Sequence, residues 1–202
     1  MALRYAGIAY ELREVLLSDK PLAMLQASAK GTVPVICLPD GRIIDESIDV
    51  MHWAVQQNVQ ENRGPQDWYP HELQDSTMAL VNANDQDFKS QLDHYKYWER
   101  FPQYPQIHYR QQAESFLQQL EGHLSQSRYL LTQRPTLADI AIFPFVRQFA
   151  FVDKPWFDQA PYPKLQFWLK DFLQSELFLQ VMQKQPLWQQ GNPPVYVSHE
   201  PN

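Results

Sequence analysis

The chain is short of cysteine, glycine and long apolar runs, and each shortage excludes a class of protein. Its single cysteine, Cys37, excludes an intrachain disulfide framework and favours a reducing compartment, so we expect a cytoplasmic protein. Its apolar runs are far shorter than the roughly 20 residues of a membrane span. Arg4, Glu11 and Arg13 interrupt any signal peptide at the start. Only six glycines in 202 residues favour helix over sheet.

Basic residues are also too few for a nucleic-acid-binding or lipid-binding protein. Seventeen lysines and arginines stand against 23 acidic residues, which gives a net charge of −6 and a pI near 5.5. The six histidines are scattered, and none pairs with another histidine or a cysteine at metal-ligand spacing, so we expect no metal site. A hydrophobic content of 44% predicts a globular protein, and the length allows two small domains.

The first 57 residues have the pattern of a mixed α/β domain, with short apolar runs between helical segments. The pattern predicts helices over residues 1–6, 21–26 and 47–57 and strands over residues 10–16, 33–38 and 42–44. The Asp40-Gly41 turn makes the last two strands an antiparallel pair. Residues 58–70 contain two prolines and a glycine and little apolar character, so the domain boundary is predicted there.

The rest of the chain is predicted to be helical. Helices are expected over residues 73–97 (one long helix or a broken pair), 109–124, 136–151, 161–173 and 176–183. The proline-rich end suggests an extended surface tail. The predicted domains are therefore residues 1–60, a helical domain over 70–190, and a tail over 191–202.

One helix start in this second half has a clear capping signature. Thr136 can accept at the helix N-terminus, and Asp139, three residues later, can bond back to the Thr136 amide. Such a capping box begins many buried helices, so alone it indicates structure rather than function.

A second signature lies far upstream. Gly31-Thr-Val-Pro-Val35 is followed by the Asp40-Gly41 turn and then by Glu46-Ser47 at the start of a helix. Together with the Thr136–Asp139 box, these motifs resemble the glutathione S-transferase superfamily over residues 1 to about 188. Lys20-Pro21 and the aromatic segment Tyr95–Pro102 resemble its bacterial omega-like, cysteine-using branch.

The resemblance implies an α+β protein with a thioredoxin-like N-terminal domain followed by an all-α helical bundle. It also implies a homodimeric transferase with glutathione as co-substrate. Its second substrate would be a hydrophobic electrophile, as in detoxification, or a mixed disulfide. The alternative is a non-catalytic glutathione-binding or dimeric interaction module with the same fold.

Four positions match the family's glutathione-binding motifs. The resemblance implies a cis bond at Val33-Pro34, with the Val33 main chain holding the cysteinyl part of glutathione as an added strand would. It implies that Ser47, at a helix N-terminus, receives the γ-glutamyl carboxylate and that Glu46 pairs with the γ-glutamyl ammonium. Out of this context, Pro34 would merely start a strand and Glu46-Ser47 would merely cap a helix.

Lys20 and Cys37 complete the candidates. In the omega-like branch a lysine at the matching Lys-Pro neutralises the glycine carboxylate, although a surface lysine before a helix needs no ligand. Cys37 lies inside a strand that is expected to be buried, where a thiol behaves as a small hydrophobe, so we predict no catalytic role for it.

The start of the chain departs from the family pattern. The resemblance places the activating residue on the first turn of the first helix, and hence upstream of Met1 together with a central strand. Without that strand, unpaired main-chain groups would destabilise the first domain, at about 1–3 kcal/mol for each buried orphan. Three explanations are open: truncation within the first helix, which we favour, unseen residues, and a non-enzymatic remnant. They leave both the enzyme and the binding module open.

Overall fold

The chain forms two compact units in the computed structural model, which describes residues 1–57 and 68–198. The first unit consists of the described parts of Met1–Gln66 and Glu176–Asn202, and the second consists of those of Asp67–Ser175. The predicted domain boundary over 58–70 falls mostly outside the described residues.

The C-terminal residues belong to a different unit from the one the sequence suggests. Residues from Glu176 onward were expected to end the helical domain and then form a tail, but they group with the first unit. The side chain of Arg4 donates to Gln180 at 2.8 Å, which joins the two ends of the first unit. These contacts are between residues far apart in sequence, so the local pattern cannot reveal them.

The first unit combines short helices with short strands. Its elements are α1 (Ala2–Tyr5), β1 (Tyr10–Leu12), α2 (Leu22–Ala27), β2 (Ile36–Cys37), β3 (Ile43–Ile44), α3 (Ser47–Gln57), α10 (Glu176–Val181) and β4 (Val195–Val197). Gly7 ends α1 with φ 66°, a left-handed conformation that glycine adopts without a steric penalty.

The described strands of this unit form two antiparallel pairs. β2 pairs with β3, with Ile36 opposite Ile44, as the hairpin pattern predicts. β1 pairs with β4, with Tyr10 opposite Val197. The predicted tail thus contains a strand, because β4 pairs its main-chain groups with those of β1.

The second unit is helical throughout its regular elements. They are α4 (Gln74–Ala83), α5 (Lys89–Lys96), α6 (Gln106–Gln126), α7 (Leu137–Ala150), α8 (Lys154–Gln159) and α9 (Pro163–Gln174). A π-helical segment, Asn84–Phe88, joins α4 to α5, and 3-10 turns occupy His71–Leu73 and Trp98–Arg100. The segment predicted as one helix or a broken pair is therefore helical from Gln74 to Lys96.

Helix α7 is the centre of the second unit's core. It contacts α4, α5 and α9, and its apolar residues are buried on nearly every side. The rings of Phe88 and Phe116 lie 4.9 Å apart, and Phe143 and Phe172 lie 5.0 Å apart. Each such buried side chain contributes about 1.5–3 kcal/mol relative to exposure, so this core stabilises the helical unit.

The predicted capping box at the start of α7 is confirmed. Asp139 Oδ2 accepts from the Thr136 N–H at 2.8 Å and from the Thr136 hydroxyl at 2.9 Å. Its Oδ1 accepts from the Leu130 N–H and the Trp168 indole N–H, both at 2.9 Å. Burial raises the pKa of Asp139, and these four hydrogen bonds oppose that rise. The box therefore ties α7 to the preceding loop and to α9.

Within the described ranges, no helix is both long enough and apolar enough to cross a bilayer.

Candidate functional site

The predicted glutathione-binding residues lie in the first unit, around the loop that leads into β2 and the start of α3. Lys20, Val33 and Ser47 are all exposed on this unit. Thr136 and Asp139 lie in the second unit, where their bonds are structural. We refer to residues Lys30–Pro34, Glu46 and Ser47 as the loop–helix surface.

Val33 presents its main chain at this surface. The Val33–Pro34 peptide bond is cis, as the resemblance predicts, and Val33 is 49% exposed. In the described part of the chain, neither its N–H nor its C=O bonds to another main-chain group. An exposed, unpaired N–H and C=O on one residue can accept an extended peptide as an added strand.

The N-terminus of α3 supplies further main-chain donors. The Glu46 carbonyl accepts from the Val50 N–H at 3.0 Å, so Glu46 occupies the capping position and Ser47 is the first helical residue. This shifts the cap one residue from Ser47, where the sequence suggested it. The first amides of a helix lack partners within it, and the helix dipole favours an anion there. Asp49 in the same turn is itself such an anion, and its charge repels an anionic ligand that approaches these amides.

Lys20 is close to the start of the loop. A Cβ added at Gly31 would lie 3.9 Å from Lys20 Cδ and 3.4 Å from Leu25 Cδ2, and Gly31 has φ +62°. The stem of Lys20 therefore passes beside Gly31, two residues before Val33. From this position the Lys20 ammonium can reach the loop–helix surface.

An ion-pair cluster joins the loop to the start of α3. Lys30 Nζ donates to Glu46 Oε1 at 2.6 Å and to Asp45 Oδ1 at 2.9 Å. The Ser28 hydroxyl donates to Asp45 Oδ2 at 2.6 Å. Hydrogen bonds from Ser28 and then Lys30 lower the pKa of Asp45, and those to Glu46 and Asp45 raise the pKa of Lys30.

Sequence reasoning missed Ser28, Lys30 and Asp45. A lysine separated by 16 residues from its carboxylate partner has no local pattern that would mark it. Only the turn of the chain through β2 and β3 brings the partners together.

Cys37 was expected to be buried, and this expectation is wrong. The thiol is exposed, whereas the next residue, Leu38, is buried. The Leu38 N–H donates to the Arg42 carbonyl at 2.9 Å, so the extended chain continues past the end of β2. Consecutive side chains of an extended chain lie on opposite faces, so Cys37 and Leu38 point in opposite directions. The all-apolar sequence of this strand gave no indication of which face is covered.

Metal-ligating side chains do not gather in the part of the chain that the structure describes. There, no three of its histidine, cysteine and acidic residues are grouped so that they could hold an ion.

Family models match both halves of the chain. Residues 1–62 match the model described as the N-terminal domain of glutathione S-transferase, and residues 66–171 match the model of the C-terminal domain. No curated protein sequence matches the chain significantly.

Solved structures share the fold over nearly the whole chain. BphK, a bacterial glutathione S-transferase solved as a ternary complex, is 22% identical with a TM-score of 0.74, covering 90% of both chains. A glutathione transferase family member from Pseudomonas fluorescens, solved with two glutathione molecules bound, is 18% identical with a TM-score of 0.73. That match covers 89% of this chain and 84% of the other. Glutathione S-transferase 1-6 from Anopheles dirus species B is 15% identical with a TM-score of 0.72, again covering 89% and 84%.

These matches confirm the predicted fold class. The chain has a thioredoxin-like N-terminal domain with a small sheet and a helical C-terminal domain.

Proposed function

Because this chain belongs to the glutathione S-transferase family, we propose that it binds glutathione at the loop–helix surface and transfers it to or from a second substrate. The observation that carries the proposal is the exposed, unpaired main chain of Val33, in the loop that Lys30 links to the start of α3. The Lys30–Glu46 contact at 2.6 Å brings the loop and the helix start together on one surface.

In the proposed complex, three parts of glutathione meet three kinds of group. The Val33 N–H and C=O pair with the main chain of the cysteinyl residue. The first amides of α3 and the Ser47 hydroxyl receive the γ-glutamyl carboxylate, while Glu46 pairs with the γ-glutamyl ammonium. Lys20 reaches the glycine carboxylate. Pro34 positions Val33 and makes no polar contact with the ligand itself.

The proposed chemistry is thiol transfer of the omega-like kind. In conjugation, the glutathione thiolate forms a C–S bond to an electrophilic carbon, which expels its leaving group. In mixed-disulfide exchange, the glutathione thiolate forms a bond to one sulfur of the disulfide, the S–S bond breaks, and the other sulfur leaves as a thiolate that takes a proton from water. We also propose a homodimer, as the family resemblance implies, and a cytoplasmic location, as the single cysteine favours.

Capture on glutathione-agarose tests the binding step. The wild-type chain is expected to be retained and to elute with free glutathione. Glu46→Gln removes the charge that pairs with the ammonium and should weaken retention severalfold. The matched control is Glu176→Gln, at the start of α10 in the same unit, which should elute with wild type. If wild type passes through unretained, the binding proposal is wrong.

Turnover distinguishes the enzyme from a binding module. A retained protein that reduces the mixed disulfide formed between glutathione and hydroxyethyl disulfide is a thiol transferase. A protein that is retained but gives no turnover with hydroxyethyl disulfide or with an aryl halide is a glutathione-binding module.

A further inference from the structure

Lys30 pairs with the Glu46 carboxylate, which in the proposed function binds the ammonium of the ligand. Its Nζ is 2.6 Å from Glu46 Oε1 and 2.9 Å from Asp45 Oδ1, so one ammonium is shared between two adjacent carboxylates. Glu46 belongs to the loop–helix surface, and Asp45 precedes it directly.

The ammonium of Lys30 and that of a γ-glutamyl group are chemically alike. Each is a compact cation with three N–H donors, and each is suited to the same carboxylate oxygens. When both are near Glu46, they repel each other and share its charge.

The Lys30–Glu46 pair is weak enough to be displaced. The side chains of Lys30 and Glu46 are 49% and 57% exposed, and exposed ion pairs are stabilised only modestly because water screens them. Asp45, at 25% exposed and held by the Ser28 hydroxyl, is the better-fixed partner. Lys30 can therefore give up Glu46 while it keeps its bond to Asp45.

We propose that Lys30 is a stand-in for the ligand's ammonium. It competes with that ammonium for Glu46 and so lowers the preference of this surface for ligands that carry a free α-amino group. A ligand with that group must displace Lys30 from Glu46 or bind beside it, whereas a ligand without it leaves the Lys30–Glu46 pair intact. This inference rests on the proposed function, because it takes Glu46 as the ammonium-binding residue.

The test compares two ligands on two proteins. Glutathione carries the ammonium, and its desamino analogue, glutaryl-Cys-Gly, has the same carboxylates and thiol without it. Calorimetry on the full chain gives the Kd of each ligand for wild type and for Lys30→Met. The ratio of the two Kd values, desamino analogue over glutathione, isolates the contribution of the ammonium.

We expect this selectivity ratio to rise about two- to fivefold in Lys30→Met, the range that an exposed ion pair allows. Lys30→Arg, which keeps the positive charge, should leave the ratio near its wild-type value. In a Glu46→Gln background, Lys30→Met should no longer change it. The control Lys184→Met removes an exposed lysine elsewhere in the same unit and should leave the ratio unchanged.

The outcomes separate this inference from the proposed function. If wild type binds glutathione but the ratio in Lys30→Met is unchanged or lower, the stand-in role is wrong and the proposed function stands. If no variant binds either ligand, the proposed function is wrong and the stand-in role falls with it.

Discussion

At the level of single residues, the buried carboxylate of Asp139 holds together the start of α7, the loop before it and α9. It is fully buried and accepts four hydrogen bonds, from the main chain of Leu130, from the main chain and side chain of Thr136, and from Trp168. Each donor would be left unpaired in an apolar interior without it, and an unpaired buried donor costs about 1–3 kcal/mol.

Asp139→Asn should therefore destabilise the second unit by roughly 2–3 kcal/mol, because the new amide points N–H groups at existing donors. Urea unfolding followed by circular dichroism measures the change. Asp171→Asn is the matched control, since its partner Arg128 is largely exposed, and it should cost about 0–1 kcal/mol. Equal losses in the two variants would contradict the role given to Asp139.

Replacing each of two glycines with alanine is expected to change the stability of the protein in opposite directions. Gly31 has φ +62° and a neighbour 3.4 Å from the position of an added Cβ, so Gly31→Ala should cost roughly 1 kcal/mol or more. Gly122 lies in the exposed interior of α6 with open space around it, so Gly122→Ala should stabilise by roughly 0.5–1 kcal/mol. Melting temperatures that shift in the same direction would contradict this reading.

At the scale of elements, β4 is the partner of β1. The Trp188 N–H also donates to the Glu14 carbonyl at 2.8 Å, which extends the contact beyond the strands. The main-chain groups of β1 therefore have their hydrogen-bond partners in a segment more than 170 residues away in sequence.

A chain that ends at Gln190 should lose protection in β1 alone. We expect the Tyr10–Leu12 amides that bond to β4 to exchange with deuterium about fivefold faster or more, since each lost hydrogen bond is worth about 1 kcal/mol. The amides of β2 and β3 are the internal control and should be unchanged. Unchanged exchange throughout Tyr10–Leu12 would show that β4 does not protect β1.

At the scale of the whole molecule, the division into units has a direct consequence. Residues 67–175 contain the α7-centred core, whereas α10 contacts α1 in the other unit. A fragment of residues 67–175 should therefore fold and unfold cooperatively in urea. A fragment of residues 67–190 should be no more stable, because α10 lacks its partner. Higher stability of the longer fragment would place α10 with the helical unit instead.

The sequence predicted the local features of this molecule better than its long-range ones. The predicted helices, the β2–β3 hairpin and the capping box at Thr136 follow from periodicity and turn chemistry, and the structure confirms them. The short helix α8 was not predicted. The pairing of β4 with β1 and the link between Lys30 and Glu46 depend on how distant segments meet. The exposure of Cys37 was missed because an all-apolar strand does not show which face is covered.

Glutathione binding at the loop–helix surface can be tested by titrating the isotope-labelled full chain with glutathione and following the amide chemical shifts. Saturable shifts are expected at Val33, Ser47 and Lys20, with residues of α7 unaffected. Saturable binding that leaves Val33 and Ser47 unshifted would contradict it, and so would the absence of binding at millimolar glutathione.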